Sequence, residues 1–294
     1  MRLKIHVSRK VVFISGGSSG LGEALVRNFI HLGYTTLFCA RDVHNVNATL
    51  RKMEKHKTSK DQVVLGFSAD VSKLNEISTL FVELRNLGLQ PDVLICNAGV
   101  IGPINKFLEV DMDSYRSVFD VNFYGTVNVI SAALQQMLEK AWGRVIHISG
   151  GGATSPNIGM SSYGASKAAA VRFIETLALE YKDSGITFNS ISPGIMKTKM
   201  LHQMLEAGAE ELGQDHYKKA KSAAESEADS FKKPIDLINF LIQKEHKRIN
   251  GKLISAVWDN WEIWPEHMDE LSTSDMYTLR RLSGRDRNAD WGDR

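Results

Sequence analysis

Short β-branched, apolar runs alternate along this chain with longer stretches whose apolar residues recur at helical spacing, and that alternation limits the folds open to it. Val11-Val12-Phe13-Ile14 reads as a buried strand closed by Ser15-Gly16. Leu21, Leu25 and Phe29 then recur at i, i+4 and i+8, the stripe of a helix, with Gly33 at its stop. Thr35 to Ala40 makes a second strand. Val43, Val46, Leu50 and Met53 mark a second helix, and Gln62 to Phe67 a third strand. Ser72 is the expected N-cap of the stripe Leu74, Ile77, Phe81, Leu84, which Gly88 ends. Val93 to Cys96, Arg144 to Ser149, Ile186 to Ile191 and Lys252 to Val257 read as further strands. Helices are expected between them, over Ser114 to Glu139, Tyr163 to Lys182 and Asp236 to Gln243. This rhythm predicts an α/β fold: one doubly wound, seven-stranded parallel sheet with helices on both faces. No Pro/Gly/Ser-rich linker interrupts it, so one domain is expected over residues 1–261.

Composition removes several function classes. Lysine and arginine total 36 against 34 acidic residues, a net charge of +2, so no broad basic field is available to hold nucleic acid or an anionic membrane. The two cysteines, Cys39 and Cys96, build no disulfide framework, no Cys/His cluster has zinc spacing, and no metal is expected. The start, MRLKIHVSRK, lacks the apolar core of a signal peptide. No run approaches the ~20 apolar residues of a membrane helix. A cytoplasmic location follows as the expectation. Two segments leave the rhythm. Residues 197–233 are polar and alanine-rich, and read either as short lid helices over a site or as a solvated surface insertion. Residues 262–294 form a mixed-charge C-terminal extension with isolated Trp264, Leu271, Tyr277, Leu279 and Leu282. It either docks on a neighbour or stays half-ordered.

The turn after the first strand reads Ser15-Gly16-Gly17-Ser18-Ser19-Gly20-Leu21-Gly22 and opens the first helix. Glycines there permit a tight turn and let backbone N–H groups approach a pyrophosphate at a helix N-terminus. The spacing is Gly-x₃-Gly-x-Gly rather than the commoner Gly-x-Gly-x₂-Gly. Where dinucleotide folds usually end the second strand in an acid for the ribose hydroxyl, this strand ends Cys39-Ala40-Arg41. A guanidinium suits a 2′-phosphate, which favours NADP(H) over NAD(H), although Asp42 next door is placed to neutralise it.

With these residues in view the sequence resembles the short-chain dehydrogenase/reductase family over about residues 9 to 257. Ser15 through Gly22 matches the family's Thr-Gly-x₃-Gly-x-Gly turn, with serine in the threonine place. Asp70-Val71 matches the pair that lies along adenine, Asn97-Ala98-Gly99 the Asn-Ala-Gly after the fourth strand, and Asn122 with Gly125 the helix asparagine. Tyr163-Gly-Ala-Ser-Lys167 matches the Tyr-x₃-Lys signature. Pro193-Gly194-Ile195 with Thr198 matches the segment near the nicotinamide carboxamide. The resemblance implies a Rossmann-like fold and hydride transfer between NADP(H), or NAD(H), and a ketone or secondary alcohol. It also implies a homodimer or homotetramer, with Val127, Val129, Ile130, Val171, Phe173 and Ile174 supplying apolar faces.

Tyr163 and Lys167 are four apart on a predicted helix and share a face. An ammonium at ~4 Å is worth ~4 kcal/mol at an effective dielectric of 20, enough to lower a phenol by at most ~3 pKa units. The resemblance makes Tyr163 the proton carrier, Lys167 its electrostatic partner and ribose ligand, and Asn122 the holder of a water linking Lys167 to solvent. One departure stands out. The family serine that would bind the substrate oxygen falls on Gly150. Ser149, one residue early, is the first candidate to replace it, the flanking glycines relaxing the strand's alternation. Thr154 or a substrate hydroxyl comes next, then a water or a backbone N–H. That loss motivates an alternative, a weakly active or inactive NADP(H)-binding regulatory protein on the same scaffold. Finally, Trp258, Asp259 and Trp261 read either as the wall of a polar substrate pocket or as a packed subunit or tail contact.

Overall fold

The computed structural model describes residues 9–288. In chain order the elements are β1 (Val11–Ser15), α1 (Gly20–His31), β2 (Thr35–Ala40), α2 (Val43–Glu54), β3 (Val64–Ser68), α3 (Leu74–Leu87) and β4 (Val93–Cys96). There follow α4 (Met112–Phe119), α5 (Gly125–Lys140), β5 (Gly143–Ile148), α6 (Ser161–Glu180), β6 (Ile186–Ser192), α7 (Lys199–Leu212) and α8 (Gln214–Glu225). The last are α9 (Lys232–Leu241), β7 (Leu253–Ser255) and α10 (Met268–Thr273). The seven strands form one parallel sheet in the order β3-β2-β1-β4-β5-β6-β7. Strand order reverses between β1 and β4, and in such sheets the crevice beyond the strand C-termini at that point is where ligands bind.

Strand alternation splits the core into two layers. Val12, Ile14, Phe38, Ile146 and Ile191 face α1, α2 and α9, together with Trp261, Trp264 and Leu271. Phe13, Leu37, Leu94, Val145 and Phe188 face α3, α5 and α6. Val129, Ile130 and Ile174 are spent in that second layer and Val171 is buried, so four of the six residues expected on association faces serve the chain's own core. Val127 and Phe173 remain partly exposed.

Several boundaries differ from those expected, for identifiable reasons. The third strand starts at Val64 rather than Gln62, because the Gln62 amide donates to the carbonyls of Ile30 and Tyr34 at 2.9 Å and accepts from Thr58 N. Ser72 is not the cap of α3; Lys73 occupies that position, and the Ser72 hydroxyl donates to Asp70 instead. Gly88 does end α3, at φ 76°. The single long helix expected from Ser114 is α4 and α5 joined through a π-helical turn at Asp120–Tyr124. The last strand stops at Ser255, whose N–H bonds the Asp259 carboxylate at 2.6 Å.

The tail packs on its own chain. A 3₁₀ turn at Trp261–His267 crosses the expected 261/262 boundary and buries Trp264. The Lys252 ammonium donates to the carbonyls of Ser274 and Met276, each at 2.9 Å. Leu253 N–H donates to Tyr277 O at 2.7 Å, so the tail covers part of the outer edge of β7, the last strand of the sheet. Leu279 N–H reaches the buried Glu175 carboxylate at 2.6 Å, and Arg172 donates to Leu279 O. Residues 197–233 form α7 and α8, whose Leu201, Met204, Leu212 and Ala220 build a small third core on Ile101, Ile104 and Met160. Among the described residues no helix is long and apolar enough to cross a membrane, and no group of three His, Cys, Asp or Glu could hold a metal.

Candidate active site

The glycine turn leaves β1 at the switch point, and its backbone dictates its residues. Gly16 and Gly20 have φ of 68° and 54°, in the left-handed region that favours glycine. Gly22 is needed for space: a Cβ there would stand 2.1 Å from Gly16 O and 2.6 Å from Asn97 Nδ2. The Ser15 hydroxyl accepts from Asn97 N and Ala98 N at 3.1 Å, and the Asn97 amide donates back to the carbonyls of Ser15 and Gly16 at 3.0 and 3.1 Å. Turn and post-β4 loop are thus one hydrogen-bonded unit. Ser18 O accepts from the Thr49 hydroxyl. Ser19 precedes α1 in extended backbone and makes no side-chain cap, so the N–H groups of the first turn, Leu21 and Gly22 among them, have no intrahelical acceptor. This turn fits a pyrophosphate: its N–H donors stand at a helix N-terminus and lack partners within the helix.

Beside it, Arg41 is exposed at the end of β2 and forms no ion pair among the described residues. Asp42 does not neutralise it. Its carboxylate caps α2 through Asn45 N at 2.8 Å, and that bond holds it below the usual carboxylate range. Asp70 accepts from both the N–H and the hydroxyl of Ser72, and buried Val71 accepts the Asn128 amide at its carbonyl. On the other flank, the loop after β6 carries Pro193, Gly194 and Ile195. Gly194 has φ 84°, and Pro193 and Ile195 help line a hollow of about 200 Å³. Thr198 reaches the glycine turn, its Cγ2 lying 3.1 Å from the place of a Cβ on Gly20.

The reactive groups converge next to this cradle. Asn122 sits in the π-helical turn, fully buried. Its Oδ1 accepts Val100 N–H at 2.8 Å, while its Nδ2 donates to Val100 O at 2.9 Å and to the Ser166 hydroxyl at 3.0 Å. Those bonds offset the cost of an asparagine inside a helix. Ser166, for which the sequence suggests no role, in turn donates to Tyr163 O. Lys167 is 3% exposed, and its ammonium donates to Ile148 O at 2.7 Å. A Cβ on Gly99 would lie 3.4 Å from that ammonium and 3.3 Å from Asn122 Oδ1.

A short chain dehydrogenase family model matches residues 10–208. The chain belongs to the short-chain dehydrogenase family. It is 31% identical over 191 residues to carbonyl reductase family member 4 of Xenopus tropicalis, covering 65% of this chain and 77% of that protein. It is 30% identical to dehydrogenase/reductase SDR family member 7B of Rattus norvegicus over 82% of this chain and 77% of that one. Among solved structures, an actinorhodin polyketide ketoreductase variant with NADPH superposes with a TM-score of 0.76 at 23% identity, covering 86% of this chain and 97% of that one.

Two features of this short-chain dehydrogenase differ from what the sequence implies. The first is electrostatic. Lys167 stands 5.9 Å from the Tyr163 ring centroid and is itself drawn down to about 8 by burial. Burial pushes the Tyr163 phenol up to about 12. Desolvation therefore outweighs the expected lowering, because the ammonium is directed at a carbonyl and its own charge is disfavoured.

The second is position 150. A Cβ on Gly150 would stand 2.5 Å from the Tyr163 hydroxyl, so Gly150 is the position that faces the phenol. Ser149 has its N–H on Ile191 O, and its buried hydroxyl has no hydrogen-bond partner, so it makes no bond to Tyr163. A serine at 150 would meet the phenol at its first atom, hence the substitution needs Tyr163 to move. Thr154 is exposed and bonds Gly151 O. The tryptophan wall is not formed: Trp261 is buried in the core with its indole N–H on Ala256 O, while Trp258 is 86% exposed.

Proposed function

We propose that this protein transfers a hydride between NADP(H) and a ketone or secondary alcohol, with Tyr163 as the proton donor or acceptor. One observation carries the reading: Tyr163 and Lys167 lie on α6 beside a glycine cradle at the switch point of the sheet, with Asn122 tied to α6 through Ser166. In this reading Ser15, Gly16, Ser18, Ser19, Gly20, Leu21 and Gly22 hold the pyrophosphate, and Arg41 holds the 2′-phosphate. Asp70 and Val71 flank adenine. Asn97, Ala98, Gly99, Pro193, Gly194, Ile195 and Thr198 surround the nicotinamide half. NADPH, when bound, supplies the hydride. Tyr163 supplies the proton, its hydroxyl donating to the oxygen that becomes an alkoxide as hydride reaches the carbonyl carbon. Lys167 and the Asn122–Ser166 pair hold the phenol's helix in place. The same reading includes a small carbonyl or alcohol substrate, a homodimer or homotetramer, and a cytoplasmic location.

The test is NADPH oxidation driven by a panel of ketones. Tyr163→Phe should lower kcat by at least ~10²-fold, the lower end for loss of a positioned proton donor. Equal rates in the two proteins would remove Tyr163 from the chemistry. Gly150 favours a second reading, an NADP(H)-binding regulatory protein; it predicts cofactor binding with no turnover across the panel.

A further inference from the structure

The outer side of the last strand is occupied by the residues that follow it. Parallel strands turn alternate residues toward each neighbour. Lys252 O and Ala256 N–H face β6, where they bond Ser190 N–H and Ser192 O, which leaves the N–H groups of Leu253 and Ser255 on the other side. Neither is free. Leu253 donates to Tyr277 O at 2.7 Å, and Ser255 donates to the Asp259 carboxylate at 2.6 Å. Both acceptors lie in the segment C-terminal to β7.

The stretch that carries Tyr277 is fastened on either side of it. Before it, the buried Lys252 ammonium holds the carbonyls of Ser274 and Met276. After it, two α6 side chains take both backbone groups of Leu279: the Glu175 carboxylate accepts its N–H, and the Arg172 guanidinium donates to its carbonyl. These two side chains are themselves paired at 2.8 Å. Tyr277 has φ 59°, a conformation that a bulky residue keeps only where its surroundings impose it, and its ring packs on Trp264 with centroids 4.5 Å apart.

An uncovered strand edge pairs with an extended chain that presents matching groups. A second copy of the same protein always offers one, because two β7 edges related by a two-fold axis run antiparallel and complement each other. We propose that residues 274–279 are a strap that, together with Asp259, keeps the β7 edge closed to a second copy of this chain. The wild type then does not associate through β7, and any dimer it forms uses another face, whether or not the chain transfers hydride.

The test alters the strap and leaves α6 and β7 intact. Proline cannot adopt a positive φ, so Tyr277→Pro moves the carbonyl off Leu253, whereas Tyr277→Gly accepts that conformation and keeps the bond. Both lose the ring against Trp264, so comparing them isolates the edge. Each is made alone and with Asp259→Ala, which frees Ser255 N–H. Hydrogen exchange of a peptide spanning Leu253, read by mass spectrometry, reports the cover, and light scattering reports the mass. At low protein concentration Leu253 should exchange about tenfold faster, or more, in Tyr277→Pro than in Tyr277→Gly. At high concentration Tyr277→Pro with Asp259→Ala should reach twice the wild-type mass, while Tyr277→Gly keeps the wild-type mass. Equal exchange in the proline and glycine variants would overturn the proposal, since the strap would then not cover the edge. Faster exchange with no change in mass would overturn it too, because a second copy would not be what the strap excludes. So would a doubled mass in Tyr277→Gly, which would assign the association to the bared Trp264. Leu279→Pro deletes the N–H that Glu175 accepts; it is read by the same two measurements and decides the matter if Tyr277→Pro does not fold.

Discussion

Replacing Lys167 by Met removes a buried ammonium while keeping most of the side chain's bulk. Burial displaces Lys167 from its ordinary 10.5 to about 8. At 1.36 kcal/mol per pKa unit, that displacement is about 3 kcal/mol of cost carried by the folded state. Below about pH 8 the lysine is charged both folded and unfolded, and the whole cost is present. Between about 8 and 10.5 the folded protein gives up the proton first. The unfolded chain then binds more protons, and stability from this group rises with pH. The methionine variant has no such proton. The lost bond to Ile148 O adds an offset of about 1–3 kcal/mol that sets the sign of the difference at neutral pH. The change of that difference with pH is the diagnostic quantity. Urea unfolding of the cofactor-free proteins at pH 7, 8.5 and 10.5 should show the wild type gaining about 3 kcal/mol relative to the variant. A difference that stays flat across this range would refute the burial argument, and with it the account of why Tyr163 is not lowered.

Three further outcomes follow from the same geometry. Gly22→Ala forces a methyl against Gly16 O, so NADPH affinity by fluorescence titration should fall more than tenfold and the protein should lose about 1–3 kcal/mol. Arg41→Ala should raise KM for NADPH by about tenfold or more and leave NADH nearly unchanged, as measured by steady-state kinetics with each nucleotide. Trp264→Ala empties a buried site of the tail, with an expected loss of about 3–5 kcal/mol in urea unfolding. A loss below about 1 kcal/mol would mean that the tail contributes little to the core.

What the chain fixed by itself was local. The glycine turn, the strand runs and the Tyr163–Lys167 spacing each lie in a short window, and each is read by backbone geometry or by one periodicity. That is why β2 and β4 fall on their expected limits and why the parallel sheet is legible in the sequence alone. The tertiary structure decided whatever depends on surroundings drawn from distant segments. Lys167 finds Ile148 O across the α6–β5 packing, Asn122 finds Val100 and Ser166, and the enclosure of Tyr163 reverses the sign expected from a lone ammonium. The sequence left the tail either docked on a neighbour or half-ordered, since Trp264 and Leu271 are isolated there; their partners on α9 and the sheet are supplied only by folding. Periodicity records which face is apolar, whereas desolvation and contact are properties of the assembled interior.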